Sequence, residues 1–264
     1  MELSGSSAVV TGGASGIGAA AARQLAARGA KVVVADLQED AGNAVADQIG
    51  GAFCKVDVTN TDDIINAVEM ATSMGPLKAL VNSAGIGWAQ RTVGKDGSYD
   101  SAANLEAFQR VININLIGTF DCIRLGATAM SRNEPDEFGE RGAICNLASV
   151  AAFDGQIGQA SYSASKGGVR AMTKSIALDL AERETGIRVN SIHPGFAETP
   201  LVENAIAQLE PEEGEQFSAR LAERALLGLA DPDQIAAAAV FMFSDDSSFM
   251  TGSELVVDGG FTAS

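Results

Sequence analysis

Tyr162 and Lys166, within Ser161-Tyr162-Ser163-Ala164-Ser165-Lys166, stand four residues apart on a predicted helix. That spacing puts both side chains on one face. A phenol with an ordinary pKa near ~10 is a poor base at neutral pH. A neighbouring ammonium favours the phenolate, and the positive charge of an oxidised cofactor would push the same way. Such a pair suits proton transfer to or from an alcohol oxygen while hydride moves to or from a cofactor. Ser149, at the end of a predicted strand, stands where a hydroxyl could hold the substrate oxygen. Alone, the Tyr-x-x-x-Lys spacing more often marks an exposed helix pair, so its weight depends on what surrounds it.

A second constellation follows the first predicted strand. Thr11-Gly12-Gly13-Ala14-Ser15-Gly16-Ile17-Gly18 opens a helix. Glycines there allow a tight turn and let the backbone approach a pyrophosphate, which faces the free N–H groups and positive end of the helix. Gly12, Ser15, Gly16, Ile17 and Gly18 are therefore candidate cofactor contacts. Asp36, 18 residues beyond Gly18, closes the second strand and is placed to accept hydrogen bonds from the adenosine ribose, with Leu37 beside it. A carboxylate repels a 2′-phosphate, and no Arg or Lys lies in the turn or directly after Asp36. NAD is expected over NADP. Asp57, at the end of the third strand, suits either the adenine edge or an Asx-type cap before Thr59–Asp62.

The elements that must position these residues alternate strand and helix. Ala8–Val10, Lys31–Ala35, Ala52–Val56, Ala79–Val81, Ile144–Leu147, Arg188–Ile192 and Glu254–Val257 read as strands. Ile17–Arg28, Thr61–Thr72, Leu105–Met130, Ser161–Glu184 and Asp231–Ser244 have helical spacing. Uninterrupted apolar strands imply burial on both faces, hence a doubly wound (Rossmann) α/β fold. It has a parallel sheet of about seven strands with helices on both faces. One domain is expected over residues 1–264. Trp88–Asn104 reads as a loop, Ser131–Gly142 as a charged surface turn, and residues 196–229 as a mobile cover over a ligand.

Composition narrows the function classes. A formal charge of −16 opposes a nucleic-acid or anionic-membrane partner. No apolar run has the length of a membrane span, and the N-terminus shows neither signal nor transit pattern. Cys54, Cys122 and Cys145 are far apart and read as free thiols in a reducing cytoplasm. With one histidine, His193, no multi-histidine metal site is available and none of any kind is expected; His193 itself reads as a packing or hydrogen-bonding residue.

Taken together these residues resemble the short-chain dehydrogenase/reductase family across essentially the whole chain. The matching stretches are Thr11–Gly18, Asp57-Val58, Asn82-Ser83-Ala84-Gly85, Asn115, Ser149, Tyr162 with Lys166, and Pro194-Gly195 with Thr199. The resemblance implies a catalytic tetrad of Asn115, Ser149, Tyr162 and Lys166, with Asn115 holding a water that links Lys166 to solvent. It also implies that Lys166 binds the nicotinamide ribose and Thr199 the carboxamide. Val58, Asn82, Ala84, Gly85, Pro194 and Gly195 fall among the implied cofactor-site residues, Asn82 chiefly as a sheet-stabilising group. The family usually assembles as homotetramers through the long helices and the C-terminal segment.

The substrate pulls two ways. Phe108–Lys166 and the Trp88–Asn104 insertion look like the type 2 3-hydroxyacyl-CoA/17β-hydroxysteroid dehydrogenases. From about Asn190 the chain looks more like bacterial cyclic-alcohol and hydroxysteroid dehydrogenases. Glu198, Glu203, Glu210, Glu212, Glu213 and Glu215 in the cover face only Arg220 and Arg224. An acyl-CoA needs cationic partners for its phosphates, so the balance favours an uncharged alcohol. Arg91, Lys95 and Arg220 remain an alternative rim for CoA. A catalytically idle NAD(H)-binding protein is the competing class.

Overall fold

The apolar runs form seven strands: β1 (Ser7–Thr11), β2 (Lys31–Asp36), β3 (Ala52–Lys55), β4 (Leu77–Asn82), β5 (Gly142–Leu147), β6 (Ile187–Pro194) and β7 (Glu254–Val257). They make one sheet in the order β3-β2-β1-β4-β5-β6-β7 with every pairing parallel. The computed structural model describes residues 1–207, 219 and 224–263. Alternation across the pleat divides the apolar side chains between two cores. Ala8, Val10, Val32 and Val34 join one, with helix α1 (Gly16–Ala27) and Pro232–Phe241. Val9, Val33 and Ala35 join the other, with α3 (Thr61–Met74) and part of Ala160–Glu182. The fold is the doubly wound α/β arrangement expected. Strand order reverses between β1 and β4, so a crevice opens at the carboxyl ends of the strands there.

Some helices start at a side chain that caps them. Asn60 accepts from the amide of Asp62 at the head of α3, and Asn104 from Ala107 at the head of α4 (Leu105–Ile112). Helix α2 (Glu39–Ile49), which the sequence reading did not single out, fills the β2–β3 crossover. Helices α5 (Thr119–Met130), α6 (Ala160–Glu182), α7 (Pro200–Ala207) and α8 (Pro232–Phe241) complete the described set.

Two expectations need correction. Leu105–Met130 is not one regular helix, because Asn113–Gly118 forms a π-helical turn between α4 and α5. Such turns re-aim backbone groups and concentrate at functional sites. The segment Ser131–Gly142 is a surface turn only in its first part. Glu140 points inward and pairs with the buried guanidinium of Arg188 at 2.7 Å. Arg188 also donates to the carbonyls of Met242, Ser247 and Met250, tying the start of β6 to the C-terminal loops. Removing one partner strands a buried charge. Glu140→Ala is therefore expected to lower stability by about 3–5 kcal/mol, read as a fall in urea midpoint at unchanged slope.

Candidate active site

A crevice of about 710 Å³ runs along the carboxyl edge of the sheet across the β1/β4 switch point. Its floor is the glycine turn. Gly12 (φ 64°) and Gly16 (φ 50°) occupy left-handed backbone that side chains rarely adopt. A Cβ on Gly12 would lie 2.7 Å from the amide nitrogen of Ala84, and one on Gly18 only 2.1 Å from the carbonyl oxygen of Gly12. These contacts let α1 and the β4 loop close on the turn. Ser15 precedes α1 with extended backbone and no side-chain cap, and the first turn carries no acidic residue. That helix end thus offers amide hydrogens and a positive dipole to an anion.

Asp36 is held in place on both sides. One carboxylate oxygen accepts from the amide of Ala14 and the other from that of Gln38, each at 3.0 Å. Asp57 lines the crevice and also makes the alternative Asx turn, accepting from the amide and hydroxyl of Thr59. Leu37, Val58, Ile17, Ala84 and Gly85 line the same space. The residues present suit a dinucleotide: a glycine cradle that a Cβ would fill, an uncapped helix start and a fixed carboxylate.

Ser149, Tyr162 and Lys166 come together where β5 ends and α6 begins. Lys166 is buried and its Nζ donates to the carbonyl of Leu147 at 2.7 Å, lying 5.7 Å from the centroid of the Tyr162 ring. Burial pulls the Lys166 ammonium down to about 8. Tyr162 lines the crevice half-buried, and burial pushes its phenol up while a hydrogen bond with Ser149 pulls it down. Desolvation is the larger of the two influences on the phenol. The Ser149 hydroxyl accepts from the amide of Ala151 at 3.1 Å, which fixes its direction.

Asn115, Asn82 and Gly18 do not line the crevice. Asn115 is fully buried in the π turn. Its side chain accepts from the amide of Ile86 and donates to the Ile86 carbonyl and to Ser165 Oγ, which donates to the carbonyl of Tyr162. A Cβ on Gly85 would sit 3.3 Å from Asn115 Oδ1 and 3.7 Å from Lys166 Nζ, so these two groups flank one point. Asn82 donates to Asn146, whose amide donates to Thr173 on α6, a buried link between sheet and helix. Thr199 is buried against Gly16, 3.2 Å from where its Cβ would be, and Pro194 and Gly195 line the crevice nearby.

Several contributors were not foreseen. Ile86 and Ser165 act through backbone or short-range bonds that leave no sequence pattern. Glu106, Gln109, Arg110 and Asn113 line the crevice from the α4 side, legible only as the polar face of an amphipathic helix. In the segment expected to be a cover, Glu198 and Glu203 are exposed. Arg224 pairs with Asp154 at 2.7 Å and lies 4.0 Å over the Phe261 ring. Glu210, Glu212, Glu213, Glu215 and Arg220 lie outside the described residues. Among the described residues no helix is long and apolar enough to cross a membrane.

Residues 12–262 match the family model described as enoyl-(acyl carrier protein) reductase. The chain is 50% identical over 204 residues to the 3-hydroxyacyl-CoA dehydrogenase type-2 of Bos taurus, covering 76% of this chain and 77% of that one. It is 38% identical over 265 residues to the 3-alpha-(or 20-beta)-hydroxysteroid dehydrogenase of Mycobacterium tuberculosis (99% and 91% covered). It is 35% identical over 269 residues to the NADP-dependent (R)-specific alcohol dehydrogenase of Lentilactobacillus kefiri (99% and 98% covered). With the doubly wound sheet, the glycine cradle and these likenesses together, the chain belongs to the short-chain dehydrogenase/reductase family.

Proposed function

We propose that this protein is an NAD-dependent dehydrogenase that interconverts a secondary alcohol and a ketone, with Tyr162 as its acid–base residue. The observation that carries the reading is the convergence of Tyr162, Ser149 and Lys166 on a crevice that also takes in Asp36 and the glycine turn. A bound nicotinamide supplies the hydride acceptor or donor. Ser149 holds the substrate oxygen, and Tyr162 Oη takes its proton in oxidation and returns it in reduction. Lys166 steadies the phenolate from below and binds the nicotinamide ribose, and Asn115 serves a water-borne relay from Lys166. Thr199, seated over the glycine turn, meets the carboxamide. An idle binder would have no physical need of this set together.

Asp36 supports NAD over NADP, since its anchored carboxylate would meet a 2′-phosphate as a like charge. Arg110 is a crevice cation besides Lys166. One relative named above is NADP-dependent, so family membership alone does not fix the cofactor. For substrate, the apolar side chains of Ile86, Leu201 and Val202 line the crevice, and the described cover cation, Arg224, is already paired. This favours an uncharged hydroxysteroid or cyclic alcohol; the cover expected at residues 196–229 lies in part outside the described residues. The second reading, a 3-hydroxyacyl-CoA, rests on the likeness to the bovine enzyme and on exposed Arg91 and Lys95 in the insertion. A turnover screen with NAD over hydroxysteroids, cyclic secondary alcohols and 3-hydroxyacyl-CoAs decides between them.

Three buried free thiols suit a cytoplasmic enzyme. Exposed Leu105, Phe108, Ile117 and Phe120 along α4–α5, with Leu178 on α6, suit association as a homotetramer.

Two outcomes test the chemistry. Tyr162→Phe is expected to cost about 10²–10⁴-fold in kcat. Oxidation needs the phenolate, so its rate is expected to rise with pH; Lys166→Met, which removes the ammonium, moves that rise to higher pH. Full turnover by Tyr162→Phe rules the mechanism out. For the cofactor, titration is expected to show NAD bound at least about tenfold more tightly than NADP, or ~1.4 kcal/mol, and Asp36→Asn to narrow the gap. Equal affinities in the unsubstituted protein would mean that Asp36 does not face the ribose.

A further inference from the structure

Ser149 stands where the pairing of β5 with β6 runs out. In a parallel ladder a residue donates to one partner carbonyl and accepts from the amide two residues further along the neighbouring strand. Ala148 donates to the carbonyl of Ile192 at 2.9 Å, so its own carbonyl would look to residue 194 for a hydrogen. That residue is Pro194, which has no N–H. The backbone link to β6 ends one residue before the serine whose hydroxyl must be aimed.

A side chain takes over. His193 Nδ1 lies 3.1 Å from the carbonyl oxygen of Ser149, and its Nε2 lies 2.9 Å from Ser191 Oγ. The carbonyl can only accept, so Nδ1 carries the hydrogen, and a neutral ring leaves Nε2 to accept from the serine hydroxyl. Burial lowers the pKa of the ring, which suits that neutral form. The imidazole is fully buried, with the Phe153 ring centroid 4.6 Å away. Arg170 lies 4.4 Å from that phenyl ring and is itself held by Glu254 at 2.8 Å. Two short bonds complete the serine's frame: its carbonyl also accepts from Ala152 and its hydroxyl from Ala151.

We propose that His193 is a positioning residue for Ser149, its Nδ1–H carrying the β5–β6 link one residue past Ala148, whose carbonyl Pro194 cannot serve with a strand hydrogen bond. The inference rests on the reading of Ser149 as the group that holds the substrate oxygen. Loss of the bond frees the serine main chain from β6 and lets the hydroxyl drift from Tyr162, which lowers turnover rather than cofactor binding.

His193→Asn and His193→Gln separate this role from packing. Both remove the imidazole from beside Phe153. The asparagine amide, however, stands at the Nδ1 position and can still donate to Ser149, whereas the glutamine amide reaches towards Ser191. Steady-state kinetics with the alcohol identified by the screen, NAD titration and thermal melting are measured for both variants and for Tyr162→Phe. The expected result is kcat within about threefold of the parent for His193→Asn. For His193→Gln a loss of about tenfold or more is expected, with NAD affinity and melting temperature matching those of His193→Asn. Equal kcat in the two variants, or losses that follow melting temperature alone, would overturn the inference while Tyr162→Phe remains inactive. Retained turnover in Tyr162→Phe would overturn the catalytic reading and this inference with it.

Discussion

The hydrogen bond from Lys166 Nζ to the carbonyl of Leu147 brings the helix bearing Tyr162 and Lys166 against the strand end bearing Ser149. An ammonium buried to this degree costs several kcal/mol unless its protons find acceptors, so α6 has one seat on β5 and not a range of them. The depressed Lys166 pKa is the residual sign of that cost. Seven residues along the same helix, Thr173 takes the amide of Asn146, which in turn takes that of Asn82 across the β4–β5 pair. A helix held only by alanine and valine could slide by a fraction of a turn at little cost. One held by buried polar bonds cannot slide without orphaning a group worth about 1–3 kcal/mol. The register of Tyr162 against Ser149 follows from this.

The other half of the crevice depends on what is missing. Gly12 and Gly18 stand where any Cβ would strike backbone, so α1 and the β4 loop can both approach the turn. The space left between them is narrow, floored by amide hydrogens, and flanked by a carboxylate that two further amides hold still. Both halves meet at Gly85, where the absence of a side chain lets Asn115 and Lys166 flank one point. The Tyr162 end and the glycine-turn end of the crevice are therefore mechanically joined through β4 and β5.

Much of this was legible beforehand. Each strand was visible as a short run of apolar, mostly β-branched residues, and the glycine turn, Asp36 and the Tyr162–Lys166 spacing are local patterns whose geometry is set within a few residues. Less legible was how Asn115 is placed. Its position in a π turn, with its side chain clasping Ile86 and Ser165, comes from partners 29 and 50 residues away. Likewise Glu140 sits in a stretch whose composition is that of a surface turn, and only Arg188, 48 residues on, draws it inward.

The sequence by itself therefore determined the alternating architecture, the place of the glycine turn and the shared helix face of Tyr162 and Lys166. These depend on periodicity, chain stiffness and spacing along a single helix or turn. The tertiary structure alone decided which buried polar groups satisfy one another: Lys166 with Leu147, Asn82 with Asn146 and Thr173, and His193 with Ser149. Such pairings join residues remote in sequence, and the cost of burying a polar group unpaired is settled only when the chain has closed around it.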